Sequence, residues 1–180
     1  AKLVGARAST NGEFFSYADY SARGLAVGGG AAWPGSKDTK GSGFVSFDKA
    51  GNVTITKPAD VVPFDPKTMW GVVSGHPMIV RDGAALPNPK GSQLCLRNPR
   101  TAGGLSKDAN KFFMVVVDGR SNVSVGMTCA ELGTLLKGLG AWTALNLDGG
   151  GSSAMYVAGA GVVNTPSDGS ERVVANHLAL

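Results

Sequence analysis

The segment Ala144-Leu-Asn-Leu-Asp148-Gly-Gly-Gly-Ser-Ser153 constrains this chain more than any other. A short apolar run ends in Asn146 and Asp148, and Gly149, Gly150, Gly151, Ser152 and Ser153 follow at once. The apolar half reads as a strand. A core strand needs neither a carboxylate at its end nor a stretch of bare backbone beyond it. Glycines let main chain approach a ligand closely. Their N–H groups can converge on an anion, and the Ser152 and Ser153 hydroxyls add donors. A plain glycine turn between two strands is the competing reading of this segment taken alone.

A chain of 180 residues with 43% apolar and 17% charged residues can pack one globular core. Its 27 glycines favour turns over long helices. The net charge of +4 is carried by scattered Lys and Arg, with no basic run. That pattern speaks against a nucleic-acid partner and suits single arginines placed on a phosphate. No apolar stretch is long enough to span a membrane. The chain starts at Ala1 without Met or a visible signal peptide, as a trimmed form would. Cys95 and Cys129 could form one disulfide or stay as two free buried thiols. There is no CxxC, and His76 and His177 lie far apart, so no metal site and no cofactor are expected.

Residues 2–9 read as a strand running into a turn at Thr10-Asn11-Gly12. Residues 33–43 read as a polar loop, 43–48 with 53–56 as a hairpin, and 59–67 as a connection. Residues 70–74 and 78–81 read as a strand pair around Gly75-His76-Pro77. The run Phe112 to Val117 suits a central strand buried on both faces, and it ends in Asp118-Gly119-Arg120. Thr128 and Glu131 form a capping box for one helix, which has Leu132, Leu135, Leu136 and Leu139 on one face and ends at Gly138 and Gly140. A strand at 142–147 then delivers Asp148. A right-handed crossover makes the two strands parallel and places Asp118 and Asp148 on one rim. The expected fold is a single α+β domain over residues 1–180, with a mostly β-sheet core and few helices.

Six motifs occur in order: Asn11-Gly-Glu-Phe-Phe15, Asn98-Pro-Arg-Thr101, Val117-Asp-Gly-Arg120, Gly126-Met-Thr-Cys-Ala-Glu-Leu132, Leu145 to Ser153, and Asn164 to Arg172. Together they resemble the phosphodiester glycosidase family from about Val4 to His177. Two departures stand out. Glu13 occupies a position where that family usually has glycine, and only ten residues precede the Asn-Gly motif.

The resemblance implies hydrolysis of a sugar-1-phosphodiester at its anomeric C–O bond, outside the cytoplasm. The partner is then a sugar-phosphate small molecule or a glycan, and N-acetylglucosamine is one sugar it suggests. It implies Asp148 and Asp118 as catalytic carboxylates. It implies Asn11, Arg100, Arg120, Asn146, Gly149, Gly150, Gly151, Ser152, Ser153, Asp168, Glu171 and Arg172 as substrate-binding residues. Each has a plainer reading. Asp148 and Asp118 could be turn aspartates, Arg100 could tie down its own loop, and Asn11 could serve an Asn-Gly turn. Pro166 to Gly169 could be a type I turn, with Glu171 and Arg172 a solvated pair. His177 and the three tryptophans could touch sugar or pack in the core. A phosphodiesterase attacking phosphorus and a non-catalytic glycan-binding module are the alternative functions.

Overall fold

A computed structural model describes residues 4–34, 43–56, 64–65 and 67–180. Lys2, Leu3 and most of the expected loop at 33–43 and connection at 59–67 lie outside them. The first strands are β1 (Ala8–Asn11), β2 (Val27–Gly28), β3 (Ala31–Ala32), β4 (Gly43–Phe47) and β5 (Val53–Thr56). Then come β6 (Gly71–Gly75), β7 (Met78–Arg81), β8 (Ala84–Ala85), β9 (Arg100–Leu105) and β10 (Phe112–Val117). Helix α1 (Cys129–Leu139) precedes β11 (Thr143–Asn146), β12 (Met155–Val157), β13 (Gly161–Val162) and β14 (His177–Ala179). The strands form three antiparallel sheets, ordered β13-β12-β1-β14, β10-β9-β11-β7-β8 and β3-β2-β6-β4-β5. The fold is α+β, as expected.

The hairpin is β4–β5, and Asp48 closes its turn by accepting from the Ala50 and Asn52 amides. The capping box is present: Thr128 accepts from the Glu131 amide while Glu131 accepts from the Thr128 amide. Gly140 ends α1 in the left-handed region, at φ 105°. Leu132 and Leu136 are fully buried against Ile79, Val80 and Ala144, whereas Leu139 is exposed.

Four expectations are corrected. The strand expected at 2–9 is Ala8–Asn11. Thr10 and Asn11 belong to it, because Thr10 pairs with Met155 and Leu178 and Asn11 pairs with His177. β6 and β7 are not partners. The chain crosses at Gly75-His76-Pro77 from one sheet to another. Here the His76 amide donates to the Asn146 carbonyl, and the Asn146 amide to the Pro77 carbonyl. β10 is an edge strand with half-buried residues, not a central one. The middle of this sheet is β11, and between it and β10 lies β9, a wholly buried Arg-Thr-Ala-Gly-Gly-Leu strand. Its glycines and arginine carry no strand signal. They suit a strand pressed between Phe112 and Val45 on one side and Leu136 and Ala141 on the other.

Because β10 and β11 both run antiparallel to β9, they are parallel to each other without touching. Their carboxyl ends therefore share one rim, beside Pro99 and Arg100 at the start of β9.

The approach to β9 is braced by a Cys95–Cys129 disulfide. Beside it, Asn98 and Met127 exchange backbone hydrogen bonds, and Arg97 pairs with Glu131 while donating to the Gly126 carbonyl. Closing a loop of this length stabilises by about 4 kcal/mol through lost chain entropy. The Cys95→Ala/Cys129→Ala variant should melt about 10 °C lower by calorimetry. An unchanged melting temperature would show that the neighbouring contacts hold the loop without the bridge.

Glu13 is 3% exposed. One carboxyl oxygen accepts from the Ser74 amide of β6 at 2.7 Å, taking the place of a missing strand neighbour, and the other has no hydrogen-bond partner. Burial pushes its pKa up to about 7, against the Ser74 and Asn176 hydrogen bonds. The unfolded carboxyl ionises near 4.5, so the associated stability is fully present below that pH. It is lost as pH rises towards 7, by on the order of 3 kcal/mol. Denaturant unfolding at pH 4.5 and pH 8 should therefore show a fall in stability that Glu13→Gln largely removes. Equal falls in both proteins would assign the pH dependence to other groups.

Candidate active site

Asp148 follows β11 directly, and its backbone is clamped by the end of β1. Its amide donates to the Gly12 carbonyl at 3.1 Å, and its own carbonyl accepts from Asn11 Nδ2 at 2.7 Å. Asn11 Oδ1 accepts from Thr101 Oγ1 and from the Ala154 amide. Asn11 is thus buried, and its oxygen and one N–H hold the strand end. Asn146 is buried too, and it donates to the His76 and Leu147 carbonyls. The Asp148 carboxylate is half-buried, accepting from the Gly149 amide at 2.9 Å and bonding the Ser152 side chain. Burial raises its pKa, and Ser152, Gly149 and the Arg172 charge pull the other way.

The glycine loop does not present a row of free amides. The Gly149 amide serves Asp148, the Gly150 amide the Pro99 carbonyl, and the Ser152 and Ser153 amides the loop's own carbonyls. Ser153 is buried against Thr101. The glycines are there for room. A Cβ on Gly151 would lie 2.0 Å from Arg172 Nη2 and 2.2 Å from Asp168 Oδ2. Gly150, at φ 62°, lets Arg120 Nη2 approach. The loop is a shelf across which two arginines lie.

Arg172 is held by several partners. Asp168 accepts from its Nε and Nη2, Tyr17 Oη from its Nη1 at 2.6 Å, and Ser152 Oγ lies 3.4 Å from that same nitrogen. Burial opposes the charge, but the Asp168 hydrogen bond and the Tyr17, Asp168 and Asp148 fields keep its pKa raised. Arg120, at φ 59°, is exposed and donates to Asn98 Oδ1 at 3.0 and 3.2 Å.

Other candidates are spent elsewhere. Arg100 is 1% exposed and donates to the Met127 and Leu96 carbonyls, so it ties down its own loop. Asp118 accepts from Asn164 Nδ2 and the Thr165 amide, anchoring the loop that carries Asp168 and Arg172. Both strand-end aspartates thus share the rim, but only Asp148 lines a cleft. Glu171 lies on another side of Arg172, in a cavity of about 340 Å³ with Ser9, Tyr156 and His177.

Asp148 opens into a cleft of about 430 Å³ walled by Phe14, Phe15, Tyr17, Arg23, His76 and Leu94. A second cleft of about 220 Å³ holds Arg120, Arg172, Gln93, Asn98 and the glycine shelf, with a face of Arg100. Tyr17 and Leu94 line both, so the clefts adjoin. The first is mostly aromatic with one carboxylate, and the second is polar and cationic. No tryptophan lines either. Sequence reasoning missed Phe14, Phe15, Tyr17, Arg23, Leu94 and Gln93. Phe14 and Phe15 could have been found from their place beside Asn11-Gly12; the others carry no local signal. Among the described residues, no group of three or more His, Cys, Asp or Glu is placed to hold a metal ion.

The phosphodiester glycosidase family profile matches residues 4–180. A curated relative, the SPbeta prophage-derived uncharacterized protein YomE of Bacillus subtilis (strain 168), is 38% identical over 89 residues. That match spans 49% of this chain and 14% of the relative. Among solved structures, the catalytic domain of zebrafish N-acetylglucosamine-1-phosphodiester alpha-N-acetylglucosaminidase superimposes with a TM-score of 0.78 at 22% identity. It covers 97% of this chain and 63% of that one. A hypothetical protein from Synechocystis gives 0.75 at 15% identity, over 97% and 51% of the two chains. The likeness to these two structures is one of fold.

Gly151→Ala should push Arg172 and Asp168 off the shelf. Inorganic phosphate, titrated by NMR, should then bind about 10- to 100-fold more weakly, the scale of one charge-assisted contact. Gly138→Ala, where the added methyl meets nothing within 4 Å, serves as the control. Unchanged phosphate binding in Gly151→Ala would separate the shelf from anion recognition.

Proposed function

The chain belongs to the phosphodiester glycosidase family, and from that premise we propose that it hydrolyses a sugar-1-phosphodiester at the anomeric C–O bond. The products are the free sugar and a phosphomonoester. One observation carries this reading: an aromatic cleft with a single carboxylate, Asp148, adjoins a cationic cleft lined by Arg120 and Arg172. The sugar ring suits the first cleft and the phosphate the second, with the anomeric carbon at their junction.

In this reading the C1–O bond breaks and its electron pair passes to a phosphate oxygen. Arg120 and Arg172 stabilise the charge that develops there. Asp148 faces the positive charge growing on the sugar ring, as nucleophile or as base for the attacking water. Water supplies the hydroxyl at C1, and its proton ends on Asp148 or solvent. Glycosidases that expel an alcohol use a second carboxyl group as acid. A phosphate diester leaves without one, which fits a pair of clefts whose described lining holds no other carboxylate.

The disulfide supports action in an oxidising compartment, outside the cytoplasm. The zebrafish neighbour supports N-acetylglucosamine as the first sugar to try. The chain spans only part of its relatives' lengths, so these assignments concern the domain in hand.

Hydrolysis of N-acetylglucosamine 1-(methyl phosphate) in ¹⁸O-water should place the label in the sugar. Asp148→Asn should keep the fold and lose at least ~100-fold in turnover. Label found in the phosphate would make the protein a phosphodiesterase. A folded Asn variant with normal turnover would remove Asp148 from the chemistry.

A further inference from the structure

A tight loop beside the Asp148 cleft holds tyrosines in the open. Phe15 and Ala22 form a β-bridge that closes it. The Ser16 amide donates to the Ser21 carbonyl, the Tyr20 amide to the Ser16 carbonyl, and Asp19 accepts from both the amide and the hydroxyl of Ser21. Phe15 is buried at its base. Tyr17 packs against it with ring centroids 5.0 Å apart, and Tyr20 lies nearly parallel to it at 5.4 Å and 14°. Yet Tyr17 is 66% and Tyr20 46% exposed.

Two features separate this from scattered surface aromatics. Tyr17 is fixed by its hydroxyl, which accepts from Arg172, and the guanidinium sits 5.7 Å from its ring. Tyr20 holds its place with a backbone φ of 55°, the left-handed region that bulky residues avoid. A loop that accepts such strain to display a ring points to use of that ring. The strip also has a direction. Tyr17 borders both clefts, whereas Phe15 lines only the aromatic one, and Tyr20 extends outward from Phe15. It therefore leads away from the arginines.

We propose that Tyr17 and Tyr20, backed by the buried Phe15, form a stacking subsite for a second sugar ring, so that the cleft takes the end of an oligosaccharide and not only a single sugar. This rests on the reading above in one respect: with C1 at the junction of the two clefts, a chain continuing along the strip is attached through the far side of the first sugar. The apolar C–H faces of pyranose rings stack on aromatic planes, and tyrosine adds a hydroxyl for a polar contact at the rim. The loop carries one acidic residue, the exposed Asp19, whose carboxylate is engaged by the Ser21 amide and hydroxyl, and Arg23, directly after the loop, lines the cleft beside Phe15 and Tyr17.

The test is binding, so it does not depend on turnover. Calorimetric titrations would compare N-acetylglucosamine with triacetylchitotriose, and glucose with cellotriose and maltotriose. At least one trisaccharide should bind about tenfold more tightly than its monosaccharide. Tyr20→Ala should abolish that gain while leaving monosaccharide binding and hydrolysis of the methyl phosphodiester unchanged. Tyr20→Phe should retain most of it, since the ring and not the hydroxyl does the stacking. Trisaccharides that all bind no better than monosaccharides, or a gain that survives Tyr20→Ala, would overturn the subsite. A stacking gain without hydrolysis of the methyl phosphodiester would keep the subsite and reject the proposed reaction.

Discussion

The clamp on the Asp148 backbone is the constraint on which the rest depends. Its amide reaches Gly12 and its carbonyl takes Asn11 Nδ2, so the end of β1 grips the end of β11 across 137 residues of sequence. These contacts join the β1 sheet to the sheet that holds β9 and β11. They fix the Asp148 backbone, while the Gly149 amide and the Ser152 side chain hold its carboxylate. Asn11 has no spare capacity for this task, since its oxygen is already shared by Thr101 and Ala154. A buried amide whose oxygen takes two donors and whose nitrogen is tied to a carbonyl resists movement, because moving breaks those bonds.

Around that clamp, polar residues divide into those that build the rim and those that face the clefts. Asp118 belongs to the first group, and so does Arg100 by its hydrogen bonds, although one face of it also reaches the cationic cleft. Both carry charge, yet their partners are backbone groups and Asn164, and each holds a loop in place. Arg100 steadies the segment that the disulfide also secures, and Asp118 steadies the segment that brings Asp168 and Arg172 over the glycine shelf. Arg172 belongs to the second group, with Asp168 orienting its planar donors and Tyr17 capping its free edge. Gly150 and Gly151 matter because side chains pass over them, and Gly149 because the Pro99 backbone lies against it, which is a steric demand and not an electrostatic one.

Much of the molecule could be read from residue order. The helix was legible because its capping box and its leucines are local signals a few residues apart. The β4–β5 hairpin was legible for the same reason, through its short turn. β9 was not, since Arg-Thr-Ala-Gly-Gly-Leu follows no strand pattern. It is a strand only because β10 and β11 flank it and because Leu136, Ala141, Val45 and Phe112 leave no room for larger residues. The crossing at Gly75-His76-Pro77 was misread as a turn for a similar reason: its hydrogen-bond partner, Asn146, lies far along the chain.

By itself the sequence determined the family, the α+β class, and the shared rim of Asp118 and Asp148. These follow from ordered motifs and from strand and helix periodicity, which are properties of neighbouring residues. Only the tertiary structure decided which polar residues face a cleft. Arg100 and Arg172 are the same residue type in similar motifs. One is buried under backbone carbonyls, and the other lies half-buried between Asp168 and Tyr17. Each also has a partner four residues away, and packing adds one 155 residues away for Arg172 and 27 away for Arg100.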